Sequence, residues 1–456
     1  MNTILLQPTD VLFFRDGRPM MTSLAGHGAA WPLPNVISAA FHAALHRAEL
    51  AGVHSHWTGE RGIYASNAAR DRKFGSLVTA GPFPVCNGRW YFPRPCDLVD
   101  GTVSPDLMPD DGTQWRATSS LPKPLEYATV NRLEASKDHG AKAWVSKEAF
   151  EAYLRQERKF ELSGHAVDDV DFCDTEHTIG IEIDPKSGTA GSGEAEGKIY
   201  SAQYLRLRDE WQMGVCAQAA NRENGGHNGD LVKALIDGTN GKIVIGGQQR
   251  FCTATRLPET TLALPSGLGG DFQEHKQKYL LKWVLISPAV WPEIPGESKE
   301  GMKMTPHPGG WLPNWVHPDS GKVLLRHRKG IRRDYSGAKA RRVAESDEPI
   351  AARLVAAIVP KPVVVTGWAL PNEFAATNAE KKGGAQSTHL AVPAGAVYYF
   401  EAESARDAAK LAEALNWHGD GNGNEIKNRR SALLGEKGFG LGVCGTWNFK
   451  MNGEQR

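Results

Sequence analysis

The sequence predicts an α+β protein built from two tandem ferredoxin-like domains, each a βαββαβ unit, with a long insertion in the first. The main observation is the order strand, helix, strand, insertion, strand, helix and strand, which occupies roughly the first 255 residues. A similar order recurs in the second half, and a length of 456 residues suits two domains. We therefore expect domains at residues 1–262 and 271–456, with the insertion at about residues 100–177.

Apolar periodicity predicts the elements of the first half. A stripe from Ile37 to Ala48 predicts a helix, for which Asn35 is the expected N-cap. The other expected elements are a strand from Ile4 towards Phe14, a hairpin at residues 85–92, one long strand at 198–215, a helix at 231–236 and a strand at 242–255.

The second half follows a glycine- and proline-rich stretch, residues 264–270, which we interpret as a linker. A helix is expected at residues 405–417, and a glycine-rich loop separates it from the last strand. The first helix of this second unit is not evident from the sequence. The expected strands lie at residues 279–286, 361–368, 395–402 and 441–449.

Charge and cysteine content exclude several classes of protein. The chain has 53 lysines and arginines against 52 aspartates and glutamates, so any polyanion site must be a local patch. None of the six cysteines forms a Cys-x-x-Cys pair, which argues against a zinc ribbon or a dense disulfide framework. Neither a signal-peptide pattern nor an apolar run of membrane-spanning length is present, and we expect a cytoplasmic protein with no membrane partner.

Two patterns with metal-ligand character are better explained without a metal. His42 and His46 lie four residues apart on the expected helix, but Ala43 stands where a zincin has glutamate and no third ligand is evident. The acidic run at residues 168–176 is more typical of a solvated face. We expect neither a metal nor a cofactor.

The most informative stretch is residues 435–445, with five glycines among eleven residues. Glycine lets a backbone approach a partner closely, and successive exposed N–H groups form an anion-binding concavity. Lys437 adds a positive charge, and Phe439 offers a ring on which a base can stack. The order helix, loop, strand is wrong for a dinucleotide-binding loop. A glycine-rich turn with a helix C-cap is an equal alternative at this stage.

A second basic feature precedes the last elements. Residues 322–342 hold nine lysines and arginines against a single acid, Asp334, which gives a local net charge of +8 before histidine is counted. This density suits a polyanion, and a solvated basic loop is the alternative. The expected polyanion contacts in this run are Arg326, Arg328, Arg332 and Arg333.

Several short segments, taken together and in order, resemble a known family. They resemble the RAMP superfamily of CRISPR effector proteins, and within it the third subunits of type III-B Cmr complexes. The sequence departs from the family at residues 246–250, where Gly-Gly-Gln-Gln-Arg replaces Gly-Gly-Glu followed by a basic residue. The segments that carry the resemblance are residues 10–19, 34–37, 81–83, 91–98, 180–184, 246–247, 393–398 and the terminal glycine loop.

The resemblance implies a tandem ferredoxin-like (RRM-like) fold that holds the 5′ tag of a CRISPR RNA and caps the foot of the complex. It implies contacts with the large polymerase/nuclease-like subunit and with a backbone RAMP subunit, and an indirect relation to target RNA. It also implies a binding subunit that performs no catalysis of its own. In this interpretation the RNA-binding residues are Arg15, Arg18, His27, Asn35, Arg250, Gly435, Lys437, Gly438, Phe439, Gly440 and Gly442.

Two rival functions remain open at this stage. One is a metal-independent endoribonuclease that processes precursor CRISPR RNA, for which His27 with Lys437 or Arg18 would supply the general base and the charge. The other is an enzyme that uses a nucleotide or sugar phosphate at the glycine loop, which the order of elements argues against.

Overall fold

A computed structural model describes most of the chain. The described residues are 1–15, 31–48, 50, 77–98, 101–103, 107–110, 120–131, 141–157, 159–181, 183, 199–219, 229–238, 241–259, 263–296, 305–327, 347–369, 384–420 and 425–449. Within them the protein is mixed α/β, with many strands and few helices. None of these helices is long and apolar enough to cross a bilayer.

The first half contains twelve strands and four helices in the part of the chain that the structure describes. The strands are β1 (Asn2–Pro8), β2 (Val78–Cys86), β3 (Arg89–Pro93), β4 (Leu107–Asp110), β5 (Ala128–Asn131), β6 (Trp144–Ser146), β7 (Ala166–Val167), β8 (Cys173–Ile181), β9 (Ile199–Leu207), β10 (Trp211–Gln218), β11 (Lys242–Val244) and β12 (Phe251–Arg256). The helices are α1 (Pro34–Arg47), α2 (Lys147–Leu154), α3 (Asp169–Phe172) and α4 (Leu231–Gly238).

Eight of these strands form one antiparallel sheet in the order β11-β12-β1-β10-β2-β3-β6-β7. Helices α1 and α4 cover one face of it, because each has an apolar stripe that is buried there. Ile37 and Phe41 of α1 and Leu235 of α4 pack in one core with Ile4 and Val215 from the strands. Strands β8 and β9 form a separate antiparallel pair, and Leu205 of β9 also forms an isolated bridge with Leu12.

The second half is built around a five-stranded sheet. Its elements are β13 (Gln273–His275), β14 (Lys278–Leu285), β15 (Arg326–His327), β16 (Glu348–Pro349), β17 (Ala352–Ile358), β18 (Val363–Val365), β19 (Trp368–Ala369), β20 (Gly384–Ala385), β21 (His389–Ala391), β22 (Val397–Ala402), α5 (Ala405–Leu415), a 3₁₀ turn (Gly435–Lys437) and β23 (Gly442–Thr446). Strand β14 pairs with β22 on one side and with β13 and β23 on the other, while β17 lies beyond β22. Helix α5 begins after Ser404, whose hydroxyl accepts a hydrogen bond from the amide of Asp407.

The two sheets share a hydrophobic core. Phe92 and Phe150 of the first half belong to the same buried cluster as Tyr399 and Trp447 of the second. Residues 264–270, interpreted from the sequence as a linker, are packed against the second half, where the Trp417 indole donates to the Pro265 carbonyl at 2.8 Å. The connection between the halves is therefore a fixed part of the fold.

Several expected elements differ in the structure. The single strand expected at 198–215 is wrong: it divides into β9 and β10 at a turn where Glu210 has a φ of 69°. The strand expected at 242–255 is likewise two strands, β11 and β12, joined by a turn that contains Gly246 and Gly247. Asn35 is not the N-cap of α1, because the helix begins at Pro34 and Leu33 takes the capping position without a side-chain hydrogen bond.

Candidate nucleic-acid interface

The glycine loop of the second half lies against the first half. The 3₁₀ turn at Gly435–Lys437 ends at Gly438, whose φ of 87° favours glycine. A Cβ on Gly438 would lie 2.7 Å from the Thr79 carbonyl oxygen of β2 and 3.3 Å from the Pro34 Cβ of α1. The loop is therefore a contact between the two halves, at the N-terminus of α1.

Backbone donors in this loop already have acceptors. The amides of Lys437 and Phe439 donate to the Leu434 carbonyl at 2.9 and 3.3 Å, and that of Gly438 donates to Gly435 at 3.2 Å. The amide of Gly440 donates to the Pro288 carbonyl at 2.7 Å. The expectation that this stretch holds phosphate through free amides is therefore wrong for residues 437–440.

Phe439 is fully buried, so the predicted stacking of a base on its ring is wrong for this conformation. Its side chain packs in a small cluster with Val290, Val365 and Ala391. Gly440 is buried as well, and Gly442 lies inside strand β23, where its carbonyl accepts from the Trp417 amide at 2.9 Å. These glycines permit close packing, whereas Gly435 and Lys437 remain half-buried at the surface.

The N-terminus of α1 carries polar groups that lack partners within the described residues. Asn35 Oδ1 and Ser38 Oγ of α1, and Thr79 Oγ1 of the adjacent strand β2, are all buried without a hydrogen bond there. The first turn of α1 contains no acidic side chain. Because a helix N-terminus favours negative charge, this end of α1 suits an anion, and Lys437 approaches it on the glycine loop.

A second group of predicted residues meets at the end of the N-terminal strand segment. The Gly247 amide donates to the Phe13 carbonyl at 2.9 Å, and a Cβ on Gly246 would lie 2.5 Å from that oxygen. The turn between β11 and β12 is thus packed against the backbone two residues before Arg15, which is exposed. The turn therefore brings Arg250 to the same region as Arg15.

Arg250 is held by an aromatic ring and a carboxylate. Its guanidinium lies 5.3 Å from the centre of the Tyr204 ring and 3.6 Å from Asp10 Oδ2. The Tyr204 hydroxyl donates to Gln248 Oε1 at 2.9 Å, so the amide side chain of Gln248 helps to position the Tyr204 ring. Phe13 lies 5.5 Å from the Tyr204 ring centre. The result is a basic group stacked on an aromatic ring at the protein surface.

The acidic run at residues 168–176 is used in local structure. Asp168 and Asp171 form a capping box at the start of α3. Asp174 pairs with Arg208 at 2.8 Å, and Glu176 pairs with Arg206. Within the described ranges no group of three or more histidine, cysteine, aspartate or glutamate side chains is placed to hold a metal.

The remaining residues predicted from the sequence belong to neither of these two groups. Arg326 lies in β15, and its guanidinium donates to the Asp347 carbonyl at 3.2 Å. The rings of His42 and His46 lie edge to face, 4.6 Å apart. Arg18, His27, Arg328, Arg332 and Arg333 lie outside the described residues.

Sequence reasoning missed a buried polar cluster that joins the two halves. The Asp97 carboxylate accepts from the Tyr153 hydroxyl at 2.6 Å and from the Tyr399 hydroxyl at 3.0 Å. Lys282 Nζ lies 3.7 Å from Asp97 Oδ2 and 3.4 Å from the centre of the Tyr153 ring. Burial lowers the pKa of Lys282 to about 8, although Asp97 acts in the opposite direction. The signal in the sequence was a lysine in the middle of the apolar strand at residues 278–285.

Comparison with known proteins identifies a family whose model spans nearly the whole chain. A family model described as "CRISPR-associated protein (Cas_Cmr3)" matches residues 4–447. No curated protein matches the chain. A chain of the Type III-B Cmr-beta complex bound to cognate target RNA is 13% identical, with 87% of this chain and 86% of that chain covered and a TM-score of 0.36. A chain of the Csm3-Csm4 subcomplex of a type III-A interference complex is 9% identical, with coverage of 87% and 92% and a TM-score of 0.32.

Proposed function

Because the chain belongs to the Cas_Cmr3 family of CRISPR-associated proteins, and is thus a subunit of a type III effector complex, we propose that it binds the 5′ tag of the CRISPR RNA. In this role it caps the foot of a Cmr complex and catalyses no reaction. Its partners are the large polymerase/nuclease-like subunit and a backbone RAMP subunit, and target RNA is met through the guide.

The strand orders support a tandem ferredoxin-like architecture, divided near residues 262–271. In the first sheet the neighbours β12-β1-β10-β2 are the fourth, first, third and second strands of a βαββαβ unit. In the second sheet β23-β14-β22-β17 repeat that order. Among the described residues between β14 and β17 there is no helix, so the second unit departs from the ideal in its first crossover.

One observation carries the proposal: the glycine loop of the second half meets the helix N-terminus of the first. This contact sets Gly438 beside Thr79 and Pro34, so the adjacent residues Lys437 and Asn35 both come to the junction of the two halves. A single-stranded tag laid along the junction would meet cationic side chains and a helix dipole there. Arg15 and Arg250 form a second basic group at the other end of β1, since Thr79 is level with Asn2 whereas Phe251 lies beside Thr9. RNA contact is thus assigned to side chains and the helix end, and the inner glycines serve packing.

Charge reversal at two of these positions tests the proposal. We expect Arg15→Glu combined with Lys437→Glu to weaken binding of tagged CRISPR RNA by roughly 1–3 kcal/mol or more and to flatten its salt dependence. The matched control reverses Lys159 and Lys276, two exposed lysines away from both basic groups. Fluorescence anisotropy at several salt concentrations measures both quantities. Unchanged affinity and slope in the Arg15/Lys437 variant would overturn the assigned surface.

The same preparation tests the rival endoribonuclease. Incubation with precursor repeat RNA should leave the RNA intact. Cleavage that disappears in His27→Ala would replace the proposed function with a catalytic one.

A further inference from the structure

An open apolar groove lies between residues 122–125 of the first half and three segments of the second, and no residue assigned to RNA lines it. It offers a volume of about 400 Å³. Four separate chain segments build it, with apolar side chains or glycine at every lining position. Representative lining residues are Leu125, Trp311, Ala357, Val359, Leu390 and Val392.

The groove is flanked by two copies of the same tripeptide. Pro122-Lys123-Pro124 and Pro360-Lys361-Pro362 are both Pro-Lys-Pro, and Pro122, Pro360 and Pro362 line the groove itself. Proline fixes φ and has no N–H, so each lysine is displayed on a stiff segment. The repeated motif therefore places one positive charge beside the groove from each of two distant parts of the chain.

Both lysines are exposed, and neither has a hydrogen bond or ion pair with any described residue. Other lysines of the described chain do have acidic partners: Lys142 lies 3.2 Å from Asp171, and Lys410 lies 2.7 Å from Glu348. The charge of Lys123 and Lys361 is thus left uncompensated next to an apolar surface.

Apolar side chains at the rim of the groove are also exposed to solvent. Leu390, which lines the groove, is 60% exposed, and Leu121, next to Pro122, is 39% exposed. An open apolar patch with a polar rim is typical of an interaction site. Burial of two leucines and the groove floor would supply the hydrophobic part of binding, and the lysines would select the charge of the partner.

We propose that this groove binds an extended segment of a partner protein that carries apolar side chains flanked by carboxylates. The printed lining is apolar apart from the indole N–H of Trp311, so a protein segment with apolar side chains fits it better than RNA does. The inference goes beyond RNA binding and depends on a different surface, so either can fail without the other.

Photocrosslinking in the assembled complex tests this. The full chain, with p-benzoylphenylalanine in place of Leu390, is purified with the other subunits of its effector complex and guide RNA, then irradiated. The control places the same group at Leu324, which is 51% exposed and does not line the groove. We expect position 390 to crosslink to one acidic, apolar segment of a partner subunit that mass spectrometry identifies.

Charge reversal supplies the second arm of the test. Lys123→Glu with Lys361→Glu should reduce the yield of that crosslink at least fivefold, while Lys159→Glu with Lys242→Glu should leave it unchanged. Crosslinking of position 390 to RNA, no crosslink above the Leu324 control, or a yield insensitive to the Lys123/Lys361 reversal would each overturn the proposal. Affinity of the same variants for tagged RNA reports separately on the proposed function.

Discussion

Replacement of Asp97 by asparagine should strongly destabilise the protein. Asp97 and Lys282 are both fully buried, and the carboxylate is the acidic partner of the ammonium at 3.7 Å. Asp97→Asn keeps the size of the side chain but removes its charge. Lys282 would then lose its only acidic partner in the described core, where burial already opposes its charged form.

The structure sets the magnitude of this effect. Loss of one partner of a buried ion pair costs about 3–5 kcal/mol, whereas replacement of both by apolar groups is often neutral. The hydroxyls of Tyr153 and Tyr399 also lose part of their hydrogen bonding to the carboxylate. We therefore expect Asp97→Asn to lower the free energy of unfolding by about 3–5 kcal/mol. Adding Lys282→Met should restore at least about 2 kcal/mol of that loss.

Urea denaturation followed by tryptophan fluorescence measures both variants and the double variant. Asp319→Asn, at an exposed carboxylate, is the control and should change stability by less than about 0.5 kcal/mol. The reasoning is refuted if Asp97→Asn costs less than about 1 kcal/mol. A double variant as unstable as the sum of its single changes would refute it equally.

Three further predictions follow from the same structure. Phe439→Ala should lower the free energy of unfolding in urea by about 3–5 kcal/mol, because it leaves a cavity at a fully buried site. If Phe439 instead stacked on a base of the RNA, the substitution would lower RNA affinity and leave stability unchanged. Gly438→Val should weaken tagged-RNA binding in anisotropy, because its Cβ would press on the Thr79 carbonyl and move the loop; wild-type affinity would contradict this contact. Since the folded pKa of Lys282 is about 8 and the ordinary value is 10.5, the unfolded chain binds more protons between these values. As the pH increases from about 8 to 10.5, the free energy of unfolding of the wild type should therefore rise relative to that of Lys282→Met. The rise should be at most about 3 kcal/mol. A difference between the two proteins that does not change with pH would exclude a depressed pKa of Lys282. The comparison between variants also cancels the tyrosines Tyr153 and Tyr399 and the thiol of Cys96, whose raised pKa values act in the opposite direction.

The order of elements was predictable because it depends on local periodicity. Helices α1 and α5 were expected at their observed positions, since each has an apolar stripe that one sheet covers. The break between β9 and β10 was missed because Asp209 and Glu210 turn the chain without glycine or proline. The hairpin around residues 246–249 was missed because its glycines were interpreted as part of a strand.

The candidate site was only partly predictable, for a physical reason. A glycine-rich sequence is equally suited to an open phosphate loop and to tight packing, and tertiary contacts decide between them. Here Phe439 is drawn into an apolar cluster and the neighbouring amides find carbonyl acceptors, so packing prevails over residues 437–440. The loop approaches α1 through the contact between Gly438 and Pro34, which no local sequence pattern predicts.

The central claim is that the junction of the two halves recognises the tag of the guide RNA. Its most direct test is the ratio of two dissociation constants, for CRISPR RNA with its 5′ tag and for the same RNA with the tag scrambled, at one salt concentration. We predict tighter binding of the tagged RNA by at least about tenfold, which corresponds to about 1.4 kcal/mol. Equal affinity for the two RNAs would contradict the account.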